Sequence, residues 1–214
     1  MFTADLLTEV SQPPKLVPAV SAPGVTPTQI EGPFYPINHL PVDQIKVGTD
    51  LVFLDGQVEK AQGDVVVIEG VVMDESAQTI PGVLVEIWQA CASGRYNHAE
   101  DPNPAPLDSN FQYWGKAITD ANGFYCFRTI IPGSYPAEEG WTRPAHIHFK
   151  VTHHRYKELI TQMYFKHDPL NAVDQILQKL DLAEQERLIV EFINRIDQKH
   201  PVGQFNIQLE QRAN

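Results

Sequence analysis

Cysteine is scarce in this chain: its 214 residues hold two, Cys91 and Cys126. Two thiols cannot build the dense disulfide framework of small secreted domains, and both are expected to be reduced, buried and without chemistry of their own. No apolar run approaches the length of a membrane span, which excludes a transmembrane helix and a membrane partner of that kind. Basic residues are few as well, 16 Lys and Arg against 27 Asp and Glu, so the net charge is -11. That balance disfavours nonspecific attraction to nucleic acid or to an anionic membrane surface, and any anionic substrate must be held by local charge. The opening MFTADLLTEV carries neither the basic start nor the long apolar stretch of a secretory signal, and a cytoplasmic location is expected. There is no internal repeat and no low-complexity tract.

What is present has the proportions of one globular domain, with 43% hydrophobic and 20% charged residues. Residues 1–28 are rich in proline, at Pro13, Pro14, Pro18, Pro23 and Pro27, and read as an extended arm that either wraps a neighbouring subunit or stays mobile. A single domain over residues 29–214 follows. It opens on Glu31-Gly32-Pro33-Phe34-Tyr35-Pro36, a constrained turn whose two aromatics anchor the arm. Residues 64–73 and 83–90 are dense in β-branched side chains and predict two strands in one sheet. Residues 115–119 and 124–130 flank Asp120-Ala121-Asn122-Gly123 and predict a hairpin. Residues 159–165 give a further strand and 204–209 a closing edge strand. Between them, Ala172, Ile176 and Leu180, then Leu188, Ile189 and Phe192, recur near helical spacing, with Asp181 and Glu184 as a capping box. The fold class expected is mainly β, a β-sandwich of mixed sheets with a late helical segment and an extended N-terminal arm.

The chemistry centres on Arg143-Pro144-Ala145-His146-Ile147-His148-Phe149-Lys150-Val151. Side chains alternate across a strand, so Ile147, Phe149 and Val151 face the core while His146 and His148 share the opposite face. Two neutral imidazoles at that spacing can converge on a metal ion, although a bare His-x-His is more often an ordinary polar strand face. Tyr96, at the head of the long proline-bearing loop 91–112, and Tyr135, in a Pro-Gly-Ser-Tyr-Pro turn, are the other candidates. Taken singly, each tyrosine is more often a packing residue with its hydroxyl tied to a backbone group.

Gly94-Arg95-Tyr96, then Asp120-x-x-Gly123-x-Tyr125-x-Phe127-Arg128-Thr129-Ile130-x-Pro132-Gly133-x-Tyr135-Pro136, then Arg143-Pro144-Ala145-His146-Ile147-His148-Phe149 together resemble the intradiol ring-cleaving dioxygenases, nearest the protocatechuate-cleaving branch and its iron-binding subunit. The resemblance runs over roughly residues 28–170 and continues more weakly to the end. It implies that Tyr96, Tyr135, His146 and His148 are the protein ligands of a non-haem Fe(III). Ferric iron favours anionic oxygen donors, and coordination can hold a phenolate far below its free pKa. The implied substrates are a catechol, with protocatechuate first, and O2. The ring opens between its two hydroxyl-bearing carbons to give a cis,cis-muconate-type diacid, in a reaction of aromatic catabolism. Tyr135 would leave the metal and take a catechol proton, Arg143 would stabilise anionic charge, and Gln162 would help orient the bound species.

One departure bears on the substrate. Relatives of the protocatechuate type carry Trp after the Tyr-Pro pair, whereas this chain has Ala137, which opens that side of the pocket to a bulkier catechol. The short arm argues against the catechol-specific branch, which carries a longer helical N-terminal region. His98, His153, His154 and His167 are taken as loop or surface residues. A homo-oligomer is expected. Two other readings compete, a small-ligand carrier on the same sandwich without redox-active iron and a structural zinc site. The complete set of Tyr96, Tyr135, His146, His148 and Arg143 argues against the first. The lack of a cysteine motif near the histidines argues against the second.

Overall fold

The computed structural model describes residues 24–36, 48–54 and 56–213; most of the expected arm lies outside them. Two five-stranded sheets pack face to face around one core. The first is centred on β1 (Val65–Asp74), which pairs antiparallel with β4 (Phe124–Ile130) on one side. On the other side β1 pairs parallel with β11 (Val202–Gln204) and β12 (Ile207–Leu209), and β10 (Phe192–Ile193) extends β11. The second sheet runs β3 (Trp114–Ile118), β2 (Leu84–Trp88), β7 (His146–Thr152), β8 (Leu159–Phe165), then β9 (Ile189–Val190). A small hairpin of β5 (Tyr135–Glu138) and β6 (Trp141–Arg143) stands apart from both. The mainly β sandwich of mixed sheets is therefore present. Ile68, Val72 and Phe127 of one sheet meet Val85, Ile87, Ile147 and Phe149 of the other in a single apolar cluster.

The pairings differ from the expected ones. β1 and β2 belong to opposite sheets, and so do β3 and β4, so residues 120–123 carry the chain across the sandwich instead of closing a hairpin. The turn chemistry is as expected, with Gly123 at φ 74, but a turn does not choose its strands' partners. The closing strand is split in two. Gly70, in the middle of β1, faces the Phe205 carbonyl so closely that a Cβ there would collide with it. At this point Phe205 N donates to Glu69 O and Val71 N donates to the Asn206 side chain, which stands in for a backbone acceptor.

The late helical segment is shorter than its spacing predicts. Asp168 and Asp174 accept from backbone N–H groups just ahead of them and cut the first part into two 3-10 turns, Pro169–Val173 and Leu177–Lys179. Only α1 (Leu182–Leu188) is α-helical, and the Asp181–Glu184 capping box is formed in both directions. It stops at Leu188 because Ile189 and Val190 pair with the edge of β8 while Phe192 stacks on Phe165. Cys91 is buried and Cys126 half-buried, and both are free.

Candidate metal centre and catechol pocket

Strand β7 divides its side chains as alternation requires. Ile147, Phe149 and Val151 lie in the core, and His146 and His148 lie on the opposite face. That face is covered too, and each imidazole is about 2–3% exposed. Register sets its neighbours: Trp88 of β2 and Gln162 of β8 flank His148, and Tyr164 flanks His146. Trp88 stacks on His148 at 4.8 Å between ring centroids and fixes its plane. The Nδ1 atom of His146 lies 2.7 Å from Pro144 O, which is satisfied when Nδ1 carries the hydrogen and leaves the lone pair on Nε2, where it accepts from Arg143 Nη1 at 3.1 Å.

The two tyrosines reach this face from separate loops. Their approach depends on glycine at two places where a side chain would not fit. A Cβ on Gly94, which sits at φ 83, would meet Ser134 O, and one on Gly133 would meet the backbone of residues 92 and 94. Cys91 O accepts from both Gly94 N and Gly133 N, which ties the two turns together. The loop carrying Tyr96 is further held by Asp101, whose carboxylate accepts from Tyr96 N at 2.7 Å and Asn103 N at 2.9 Å. Tyr135 is the first residue of β5, not part of a tight turn as its sequence surroundings predict.

The four rings consequently converge. Tyr96 and Tyr135 are 5.6 Å apart between centroids, Tyr135 and His146 5.6 Å, and His146 and His148 5.0 Å. Tyr96 Oη lies 3.4 Å from His146 Nε2. Burial pushes the Tyr96 phenol well above its ordinary range, reinforced by Tyr135; burial also raises Tyr135, against the pull of Arg143. Burial and Arg143 together hold both imidazoles well below the ordinary histidine range. Without a cation the cluster is thus four neutral rings. Two imidazoles offer lone pairs, two phenols can become anionic oxygen donors, and His148 Nδ1 is buried without a partner among the described residues. Such a donor set fits a hard cation of high charge.

Arg143 borders the cluster, buried to 3% exposure. Its Nη1 is 3.1 Å from His146 Nε2, its Nη2 donates to Gln162 Oε1 at 2.8 Å and to Tyr164 Oη at 3.1 Å, and its Nε donates to Asp174 Oδ2 at 3.0 Å. Burial opposes its charge, but Tyr164, Asp174 and Tyr135 outweigh that and raise its pKa. Gln162 reaches the site through Arg143 and, by its Nε2, through Ile30 O at 3.0 Å. Asp174, Asp101 and Trp88 escaped the sequence reading; a lone acid or indole carries no spacing signal that marks it.

A cavity of about 210 Å3 opens beside the rings, with Tyr135, Arg143 and His148 in its wall. Ile30, Gly32, Pro33 and Phe34 form one side. Thr161 Oγ1 donates to Pro27 O and Gln29 N donates to Ile160 O, which lays this segment along β8, and Phe34 packs on Tyr96 at 4.8 Å. His153 is half-exposed and His154 and His167 exposed, away from the cluster, whereas His98 packs near Phe34. No helix among the described residues is long and apolar enough to cross a membrane.

Residues 30–211 match a protein family described as Dioxygenase. The protocatechuate 3,4-dioxygenase beta chain of Burkholderia cepacia is 44% identical over 156 residues, covering 70% of this chain and 66% of that protein. A catechol 1,2-dioxygenase of Acinetobacter baylyi is 30% identical over 192 residues, 84% of this chain and 57% of the relative. The chain therefore spans less than two thirds of the length of either. Among solved structures, 3-chlorocatechol 1,2-dioxygenase from Rhodococcus opacus aligns with a TM-score of 0.67 at 25% identity, over 87% of this chain and 73% of that one. The dioxygenase domain of a Streptomyces carbohydrate-binding fusion aligns with a TM-score of 0.65 at 26% identity, over 88% of this chain and all of that one.

Proposed function

The chain belongs to the intradiol ring-cleaving dioxygenase family, and from that premise we propose that it opens a catechol ring with O2 at a ferric ion held by Tyr96, Tyr135, His146 and His148. The observation that carries the reading is the convergence of two phenols and two imidazoles, with Tyr96 Oη 3.4 Å from His146 Nε2. A ferric ion held by these four residues would supply Lewis acidity toward the oxygens of a catechol.

The protein's own groups do the rest. Tyr135, half-buried in the cavity wall, is the phenol nearest solvent and takes a catechol proton on its Oη. Arg143 holds a permanent positive charge at Nη1 beside His146, where negative charge gathers on substrate and product oxygens. Gln162 keeps Nη2 turned away from that end by accepting its hydrogen bond. Phe34 and Trp88 exclude water from the outer sides of Tyr96 and His148. Protocatechuate, suggested by the sequence pattern and by the name of the Burkholderia relative, is the reference catechol for the reaction, beside the unsubstituted catechol named for the Acinetobacter relative.

The test is the visible absorption spectrum of purified, iron-analysed protein before and after anaerobic addition of protocatechuate, followed by admission of O2. A tyrosinate-to-iron charge-transfer band that shifts with the catechol, then ring-opened product, is expected. Iron-loaded protein without colour would refute the two-tyrosinate site.

A further inference from the structure

The cavity has two chemically distinct ends. At the reacting end stand Tyr135, His148 and Nη1 of Arg143. Apart from Asp101, the remainder of the wall is apolar: Ile30 and Phe34 from the N-terminal segment, Pro136, Ala137 and Trp141 from the β5–β6 hairpin, and Ile176 from the turn after Asp174. Among the described residues that line it, Arg143 is the one Arg or Lys. Its charge is matched by buried Asp174, and its Nε and Nη2 are occupied by Asp174, Gln162 and Tyr164. One carboxylate does line the cavity, that of Asp101, and its negative field reaches the Tyr96 and Tyr135 phenols.

A catechol held by its two oxygens at the reacting end must direct its ring substituents at the apolar walls. A methyl, alkyl or halogen substituent gains there by leaving water. A ring carboxylate loses hydration, finds no cation to receive it on those walls, and stands in the field of Asp101. We infer that the pocket selects catechols bearing uncharged, apolar ring substituents over carboxylated ones, and that Ala137 and Ile176 set this preference. The inference rests on the catechol-cleaving reading for the orientation of the ring. It concerns the substituent and not the reaction.

Two measurements on the full, iron-loaded chain separate the two claims. The first compares kcat/KM for 4-methylcatechol and protocatechuate by O2 uptake, with a preference of about tenfold or more for 4-methylcatechol expected. The second measures, by calorimetry, the binding of two phenols that cannot be cleaved, 4-ethylphenol and 4-hydroxybenzoate; the first should bind about tenfold or more tightly. Ala137→Arg, which puts a cation on the wall, should narrow both ratios by raising the values for the carboxylated compound. Equal or reversed binding of the two phenols by the wild-type protein overturns the inference, whether or not the variant folds. Selective phenol binding with neither catechol cleaved would instead overturn the proposed reaction and leave the selectivity standing.

Discussion

Arg143 and Asp174, 31 positions apart in the chain, form an ion pair of 3.0 Å between side chains that are 4% and 0% exposed. Asp174 also accepts from Ile176 N at 3.1 Å and Leu177 N at 2.8 Å, so one carboxylate both shapes the turn that lines the cavity and aims the guanidinium at His146. Removing one member of such a pair leaves a buried charge without compensation. Asp174→Ala is therefore expected to destabilise the fold by about 3–5 kcal/mol, read from urea unfolding. Arg143→Met combined with Asp174→Leu should lose less than Asp174→Ala alone; a larger loss would show that the pair itself, not the uncompensated charge, dominates.

The cluster should respond differently to loss of the two ligands that line the cavity, His148 and Tyr135. His148→Ala removes a nitrogen donor and is expected to lower iron content measured by elemental analysis. Tyr135→Phe should retain most of the iron and slow turnover by about a hundredfold through loss of the proton acceptor. Wild-type iron content and turnover in both variants would sink the ligand assignment.

Gly94 at φ 83, facing Ser134 O, tests whether the approach of the two loops builds the site. Gly94→Ala is strained in backbone and in space, and should cost more than about 1 kcal/mol of stability. Its iron affinity should fall further than its unfolding midpoint suggests, because Tyr96 is displaced relative to Tyr135. An unchanged charge-transfer spectrum and affinity would remove the glycine contact from the argument.

Glu86 gives a pH dependence whose sign is set by its surroundings. Burial raises its pKa above the ordinary 4.5, only partly offset by the hydrogen bond from Tyr35 and the charge of Lys150. The folded protein then binds more protons than the unfolded chain between 4.5 and the raised value, so stability falls as pH rises through that window and is unaffected by Glu86 below it. Glu86→Gln should flatten this part of the profile, gaining on the wild type as pH rises. Parallel urea midpoints for the two proteins across the window would contradict it.

Local features of the fold were legible in the chain. The strands at 124–130 and 159–165 appear with the limits expected of them, and the Asp181–Glu184 capping box is complete. Each depends on neighbours a few residues away. The helix expected to include Ile189 and Phe192 failed because its apolar residues found a sheet edge and the Phe165 ring instead, a contact that no local spacing records.

By itself the sequence determined which face of β7 carries the imidazoles, because strand alternation is a property of the backbone alone. It also supplied the donor chemistry, since phenol, imidazole and guanidinium keep their types in any fold. Tertiary structure decided which strands pair, where Asp174 lies relative to Arg143, and how near Tyr96 comes to Tyr135. Those choices turn on how two apolar sheet faces bury each other and on whether two glycine backbones can touch, and both depend on chain segments far apart in sequence.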